Sequence, residues 1–171
     1  GDGDLEIAMA FGGMRPIRSD ALGVHFESEH GAGAVVSHAV LIDAKSGVTG
    51  TGRGGASDFG YVETSEDLFA YGLESHPHAP EIEQALTQVA GRKASVAFTP
   101  HLIQMKRGLL ATCYARPRGA AGADRLLEAA RACYEGEPFV RVRPPEKGRG
   151  PHTSAATGSN FAFLSYGVNP S

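Results

Sequence analysis

The chain has 171 residues, 42% of them hydrophobic and 20% charged, with a formal net charge of −3. That length suffices for one domain with a real core, and the slight negative charge gives no electrostatic footprint for nucleic acid. No apolar run is long enough to span a bilayer, no signal-peptide pattern opens the sequence, and two cysteines make no disulfide framework. A reducing, cytoplasmic setting is therefore expected, with neither nucleic acid nor membrane as a partner.

The first 38 residues are the least readable. Ile7 to Phe11 suits a short strand or a helical turn; Met14 to Ala34 is polar, carries His25 and His30, and holds no sustained period. Residues 1–38 are thus expected to be divergent or poorly ordered. Val35 to Ile42 reads as a largely buried strand, running into a glycine-rich loop from Asp43 to Gly55. A short helix is expected from Glu66 to Tyr71, capped by Thr64 or Ser65 and stopped by Gly72. Pro80 suits the first position of the next helix and Glu81 complements its dipole. Ile82, Leu86 and Val89 then recur at helical spacing before Gly91.

Two further strands follow, Ser95 to Thr99 and Leu109 to Ala115. Asp124 then caps a second helix with Leu126, Leu127, Ala130 and Cys133 or Tyr134 inward, ended by Gly136 and Pro138. Phe139 to Arg143 alternates as a half-buried strand does. The rest is loop, apart from an apolar patch from Phe161 to Tyr166. Strands and helices mix without a regular βαβ beat, which favours an α+β fold: a mixed, mostly antiparallel sheet with helices on one face. The domain is expected to cover residues 39–165, with a tail at 166–171.

His76-Pro77-His78 sets two imidazoles two residues apart at the mouth of a helix, on a backbone that the prolines restrict. Such a place suits acid–base chemistry near neutral pH. The same spacing also fits plain surface histidines, or a metal shell completed by His101 or Glu81. Since no cysteine pair and no His-Glu-x-x-His helix supports a metal, none is expected. Gly50-Thr51-Gly52-Arg53-Gly54-Gly55 matches G-x-G-x-x-G, but neither the following helix nor the acidic partner of a dinucleotide fold is present. A loop that touches a ligand or anion is the better reading, with Lys45, Ser46 and Arg53 as donors. Cys113, mid-strand among apolar neighbours, reads as a buried, inert thiol, and Cys133 as packing. Lys106-Arg107-Gly108 is either a solvated turn or an anion clamp.

Several segments together resemble the N-acetyl-γ-glutamyl-phosphate reductase family. They are Ile42 to Gly50, Ala70-Tyr71-Gly72, His76 to Gln84, Phe98 to Leu102, Arg107 to Thr112, Glu137 to Val142 and Gly158 to Phe161. They stand in the family's order with similar gaps, over about Val40 to Phe161, the family's second, catalytic and dimerisation domain. The related reductase of carrier-linked aminoadipyl phosphate has a similar domain, so substrate chain length stays open. The resemblance implies a fold like the C-terminal domain of glyceraldehyde-3-phosphate-dehydrogenase-type enzymes. It also implies NADP, bound mainly by another domain, and a homo-oligomer acting on a small-molecule acyl phosphate in arginine biosynthesis.

In that chemistry a cysteine thiolate attacks the acyl phosphate, NADPH delivers hydride to the resulting thioester, and the thiohemiacetal collapses to the semialdehyde. The resemblance places the acid–base role on His76 and the substrate side on His78, Glu81 and Arg107. It brings Ser46 and Gly47 toward the nicotinamide and Asn160 into the segment that closes over the cofactor. The family's Gly-Cys-Tyr-Pro-Thr-like nucleophile motif has no counterpart here, since Gly23 to Ser37 contains no cysteine. The chain is therefore expected to be inactive by itself. A non-catalytic oligomerisation or regulatory module derived from the same domain is the rival reading, and a metal-dependent enzyme built on the histidines a weaker one.

Overall fold

The structure, a computed structural model, describes residues 4–11, 40–52, 59–90, 93–115 and 122–169. Its strands are β1 (Asp4–Phe11), β2 (Val40–Gly47), β3 (Leu68–Ala70), β4 (Val96–Ile103), β5 (Leu109–Ala115), β6 (Val140–Val142) and β7 (Ala162–Asn169). Its helices are α1 (His78–Ala90), α2 (Ala123–Cys133) and a short α3 (Thr153–Ala156). Among the described residues the strands form one seven-stranded sheet, ordered β3-β4-β2-β5-β1-β7-β6. The β2–β4 and β6–β7 pairs are parallel, and the other four are antiparallel. The expected mixed, mostly antiparallel sheet is therefore what forms.

Alternation along the strands decides which face is covered. In β2, Val40, Ile42 and Ala44 are buried while Leu41 is 51% exposed. In β5, Ala111, Cys113 and Ala115 point the same way as Ile42, with Tyr114 on the outer side. The inward residues join Ile82 of α1, Leu126, Leu127 and Ala130 of α2, and Leu164 and Tyr166 of β7 in one core cluster. Both long helices thus lie on the same face, as expected from the sequence. Each buried Leu or Ile contributes about 1.5–3 kcal/mol by leaving water. Small residues at Ala44 and Ala111 let the helices approach the sheet closely. α1 is also tied to the start of β4: Glu83 Oε1 accepts the N–H of Val96 at 3.0 Å, and Thr87 Oγ1 that of Ala94 at 3.0 Å.

Several expectations are corrected. Asp4–Phe11 lies between β5 and β7, paired along its length to both, so this part of residues 1–38 belongs to the sheet. Residues 12–39, including the expected strand start at Val35, lie outside the described residues. The supposed tail at 166–171 continues β7 through Asn169. Glu66 to Tyr71 is not a helix: Leu68–Ala70 pairs with β4, because an exposed sheet edge offers bonds that a six-residue helix cannot match. The expected loop from Asp43 begins later, since Asp43–Gly47 completes β2 and a 3₁₀ turn follows at Val48–Thr51.

β4 runs past Thr99 to Ile103, straight through Pro100. The Pro100 carbonyl accepts from Tyr71 N–H at 3.0 Å, on the β3 side. Nitrogen and carbonyl of one strand residue point the same way, so the missing N–H falls just beyond the end of β3 and costs the ladder to β2 nothing. The helix at 123–133 has Gly122 at its cap position and Asp124 in its first turn. β6 is shorter than the expected strand, and α3 occupies part of the expected loop. Cys133 is exposed rather than packed.

Candidate active site

The N-terminus of α1 builds the first part of the site. His76 caps this helix. Its carbonyl accepts the N–H of Ala79 at 3.1 Å, and its Nδ1 accepts the N–H of His78 at 3.2 Å. α1 opens at His78, so Pro77 stands just before it and Pro80 is its third residue rather than the expected first, still among the positions whose N–H has no partner within the helix. The His76 ring lies 5.1 Å from Phe98, 4.8 Å from His78 and 5.7 Å from Tyr71, centroid to centroid. Phe59 extends the aromatic row, 5.7 Å from Tyr71 and 6.0 Å from Phe69.

Gly72 has φ +60°, and a Cβ there would stand 3.0 Å from His76 Cδ2. Glycine thus serves two needs at this turn: a left-handed backbone and room for the imidazole. Burial and the neighbouring His78 push His76 below the ordinary imidazole range, against a weaker upward pull from Glu81. Burial likewise raises the Tyr71 phenol.

The second part lies at one end of the sheet. Ser46 stands opposite Leu109, Leu109 opposite Phe11, and Phe11 opposite Ala162. This row gathers Ser46–Gly47, the Arg107–Gly108 turn and the Asn160–Phe161 approach to β7 at the same rim. The contact between the first two is close. Gly47 N–H donates to the Gly108 carbonyl at 3.0 Å and Val48 N–H to the Met105 carbonyl at 2.9 Å. A Cβ on Gly47 would stand 2.7 Å from the Met105 oxygen, so only glycine fits. Thr49 Oγ1 adds a bond to the Lys106 carbonyl at 2.7 Å. Lys106 and Arg107 are exposed above this clamp.

The structure thus brings His76, His78 and Glu81 together, and separately Ser46, Gly47 and Arg107, with Asn160 on the same rim. Phe98, beneath His76, pairs with Ile42, four residues before Ser46 along β2. At about 3.3 Å per residue the two groups are some 13 Å apart along the strand, a span for an extended ligand. His101 is not part of either group. It lies on the opposite face of β4, with Nδ1 3.0 Å from Asp43 Oδ1, which also meets Lys45 Nζ at 2.8 Å. It is in no position to complete a metal shell with His76 and His78. Among the described residues no set of three or more His, Cys, Asp or Glu side chains is arranged to hold a metal ion.

Cys113 is fully buried, and burial pushes its thiol up to about 12, the opposite of what a nucleophile needs. Sequence reasoning missed the aromatic wall of Tyr71, Phe98 and Phe59. The inward register of Phe98 was the available signal; Tyr71 needed the fold, because its segment reads as helix.

A mixed, mostly antiparallel sheet with both long helices on one face is the architecture of an α+β domain. The chain belongs to the semialdehyde dehydrogenase dimerisation-domain family, whose sequence model matches residues 30–171. It is 50% identical over 134 residues to an N-acetyl-gamma-glutamyl-phosphate reductase of Bradyrhizobium sp. (strain ORS 278), covering 77% of this chain and 39% of that protein. A reductase of the same name from Methylobacterium sp. (strain 4-46) is 49% identical over 135 residues, again 77% and 39%. That of Symbiobacterium thermophilum is 44% identical over 140 residues, 81% and 40%. The chain spans about two fifths of the length of these curated relatives. The resemblance read from the motifs is borne out. No helix among the described residues is long and apolar enough to cross a membrane.

Proposed function

We propose that this chain supplies the second domain of an NADP-dependent reductase that converts N-acetyl-γ-glutamyl phosphate to N-acetylglutamate semialdehyde, a step of arginine biosynthesis in the cytoplasm. The observation that carries the reading is His76. It is an imidazole held against Phe98 and Tyr71 at the mouth of α1. It sits in a chain half identical to proteins of that name. His78, Glu81 and Arg107 would face the substrate, whose phosphate suits the exposed cations of the 106–107 turn. Ser46 and Gly47, with Asn160 on the same rim, would approach the NADP nicotinamide. The cofactor supplies hydride when bound, mainly to another domain, and these residues orient it against the substrate.

The 171 residues by themselves should not turn over, because the Cys113 thiol is buried and inert and Cys133 ends α2, a different helix from the one that His76 precedes. Their other contribution is association. The sheet face without helices exposes Leu41 by 51% and Tyr114 by 37%, a face suited to a second copy. A non-catalytic assembly module would rest on that face alone. The test is a chimera that joins the upstream part of the Bradyrhizobium enzyme to the whole of this chain, β1 included. NADPH oxidation dependent on the acyl phosphate supports the reductase reading. A folded, oligomeric chimera without turnover leaves the assembly module.

A further inference from the structure

We propose that His76 takes part in the reaction as the neutral imidazole protonated on Nε2, donating a hydrogen bond to the developing oxyanion, and that the main-chain N–H of His78 is the group that fixes this form. The inference rests on the reductase reading and narrows its acid–base assignment to a donor that keeps its proton.

The argument starts from the cap. Nδ1 of His76 accepts the N–H of His78, so that nitrogen is bare. A neutral imidazole carries one proton, which must then be on Nε2. A second proton on Nδ1 would remove the cap. It would also set a cation at the N-terminus of a 13-residue helix, where the dipole repels it. The ring is held on its other sides by Gly72 against Cδ2 and by the rings of Phe98 and Tyr71. Among the described residues no hydrogen bond engages Nε2. The titratable groups around the ring are His78, Glu81 and the Tyr71 phenol. Burial and His78 disfavour the charged ring more than Glu81 favours it.

The reduction half of the chemistry would need no more than a donor. A bound nicotinamide would supply hydride and be left oxidised; as the new C–H bond formed at a thioester carbonyl, the C=O π pair would move to oxygen. When that pair returned, the C–S bond would break and thiolate would leave. No proton is gained or lost at the oxygen, so an N–H aimed at it suffices. A base reading would require a free lone pair on Nε2, and Nδ1 holds the only lone pair of this form. Neutral histidines serve as electrophiles at other helix N-termini on the same grounds.

The test uses this chain labelled with 15N-histidine, the His76 signals being assigned by their loss in His76→Asn. Long-range 1H–15N correlation at pH 7 should show a bare Nδ1 and a protonated Nε2. His78→Ala, which keeps the main-chain donor, should leave that pattern unchanged. His78→Pro, which removes the donor at a position where a helix tolerates proline, should shift it toward a mixture. A proton on Nδ1, or a doubly protonated ring at pH 7, overturns the proposal whether or not the proline variant folds.

In the active chimera, His76→Asn keeps a capping acceptor but has no donor at the Nε2 position, while His76→Gln reaches that position. Gln should retain at least about tenfold more kcat than Asn, with a wild-type pH profile near neutrality. Equal loss in both, with a neutral-pH inflection present only in the wild type, restores the acid–base role. An inactive chimera alongside the expected tautomer sinks the reductase reading and leaves the tautomer standing.

Discussion

His76 and His101 sit on the two faces of the same strand pair and meet opposite surroundings. His76 lies on the helix-covered face, its Nδ1 turned to a backbone N–H and its ring against Phe98. His101 lies on the open face, its Nδ1 turned to the Asp43 carboxylate, which Lys45 also meets. One environment disfavours a charged imidazole; the other offers a carboxylate partner. The same contrast holds for the thiols: Cys113 on the covered face is sealed, and Cys133 at the end of α2 is exposed. Residue type assigns neither role; the face does.

The largest effect expected from this contrast concerns the thiols. At pH 8 an alkylating reagent should modify Cys133 in the native chain more than about a thousandfold faster than Cys113, which is fully buried with its thiol pushed up to about 12. Peptide mapping after timed quenching gives the two rates. Comparable labelling at both would mean that the covered face opens far more readily than its packing implies.

Next come the histidines. In the chimera, His76→Asn should lower kcat by roughly 10²–10⁴, the range for a group acting on the reacting atoms. His101→Asn should change it by less than about tenfold, since it touches neither part of the site. Equal losses would erase the distinction between the faces.

Core truncation should follow the same division. Leu164→Ala, at 2% exposure, should cost about 2–5 kcal/mol in urea unfolding, against less than about 1 kcal/mol for Leu41→Ala. Leu41→Lys should instead weaken self-association, by about tenfold or more in sedimentation, if the open face meets a second copy.

The smallest effect is on pH dependence. The folded pKa of His76 is depressed below the unfolded value, so below about pH 6.5 the unfolded chain takes up a proton that the folded one resists. Stability should fall as pH drops through that window. His76→Asn, which keeps a capping oxygen, should flatten that part of the profile. A steeper profile in the variant would reverse the sign assigned here.

Much of this was legible in the sequence where one short-range rule governs. The apolar run at Leu109–Ala115 was legible as a strand with its bounds intact, and the 3.6-residue period marked both long helices. The motif segments around His76 and Ser46–Gly47 were legible because residue order carries a family resemblance without coordinates, and the family is shown. Other features depended on partners distant in sequence. Asp4–Phe11 sets Leu5, Ile7, Met9 and Phe11 at every second position, a strand period too short to exclude a helical turn, and the ladders to β5 and β7 settle it as a strand. Leu68–Ala70 follows a plausible helix cap, yet the free edge of β4 wins.

The sequence by itself thus determined the fold class, the helix carrying the H-x-H motif and the inert character of Cys113, since each follows from local pattern and residue chemistry. Only the tertiary structure decided which histidine accepts a helix N–H and which stands beside a carboxylate, and that Gly47 must be glycine because the Met105 carbonyl leaves no room. It also decided that residues spread from Ser46 to Asn160 along the chain share one rim of the sheet. Those are consequences of strand order and register, which bring together residues that no sequence period relates.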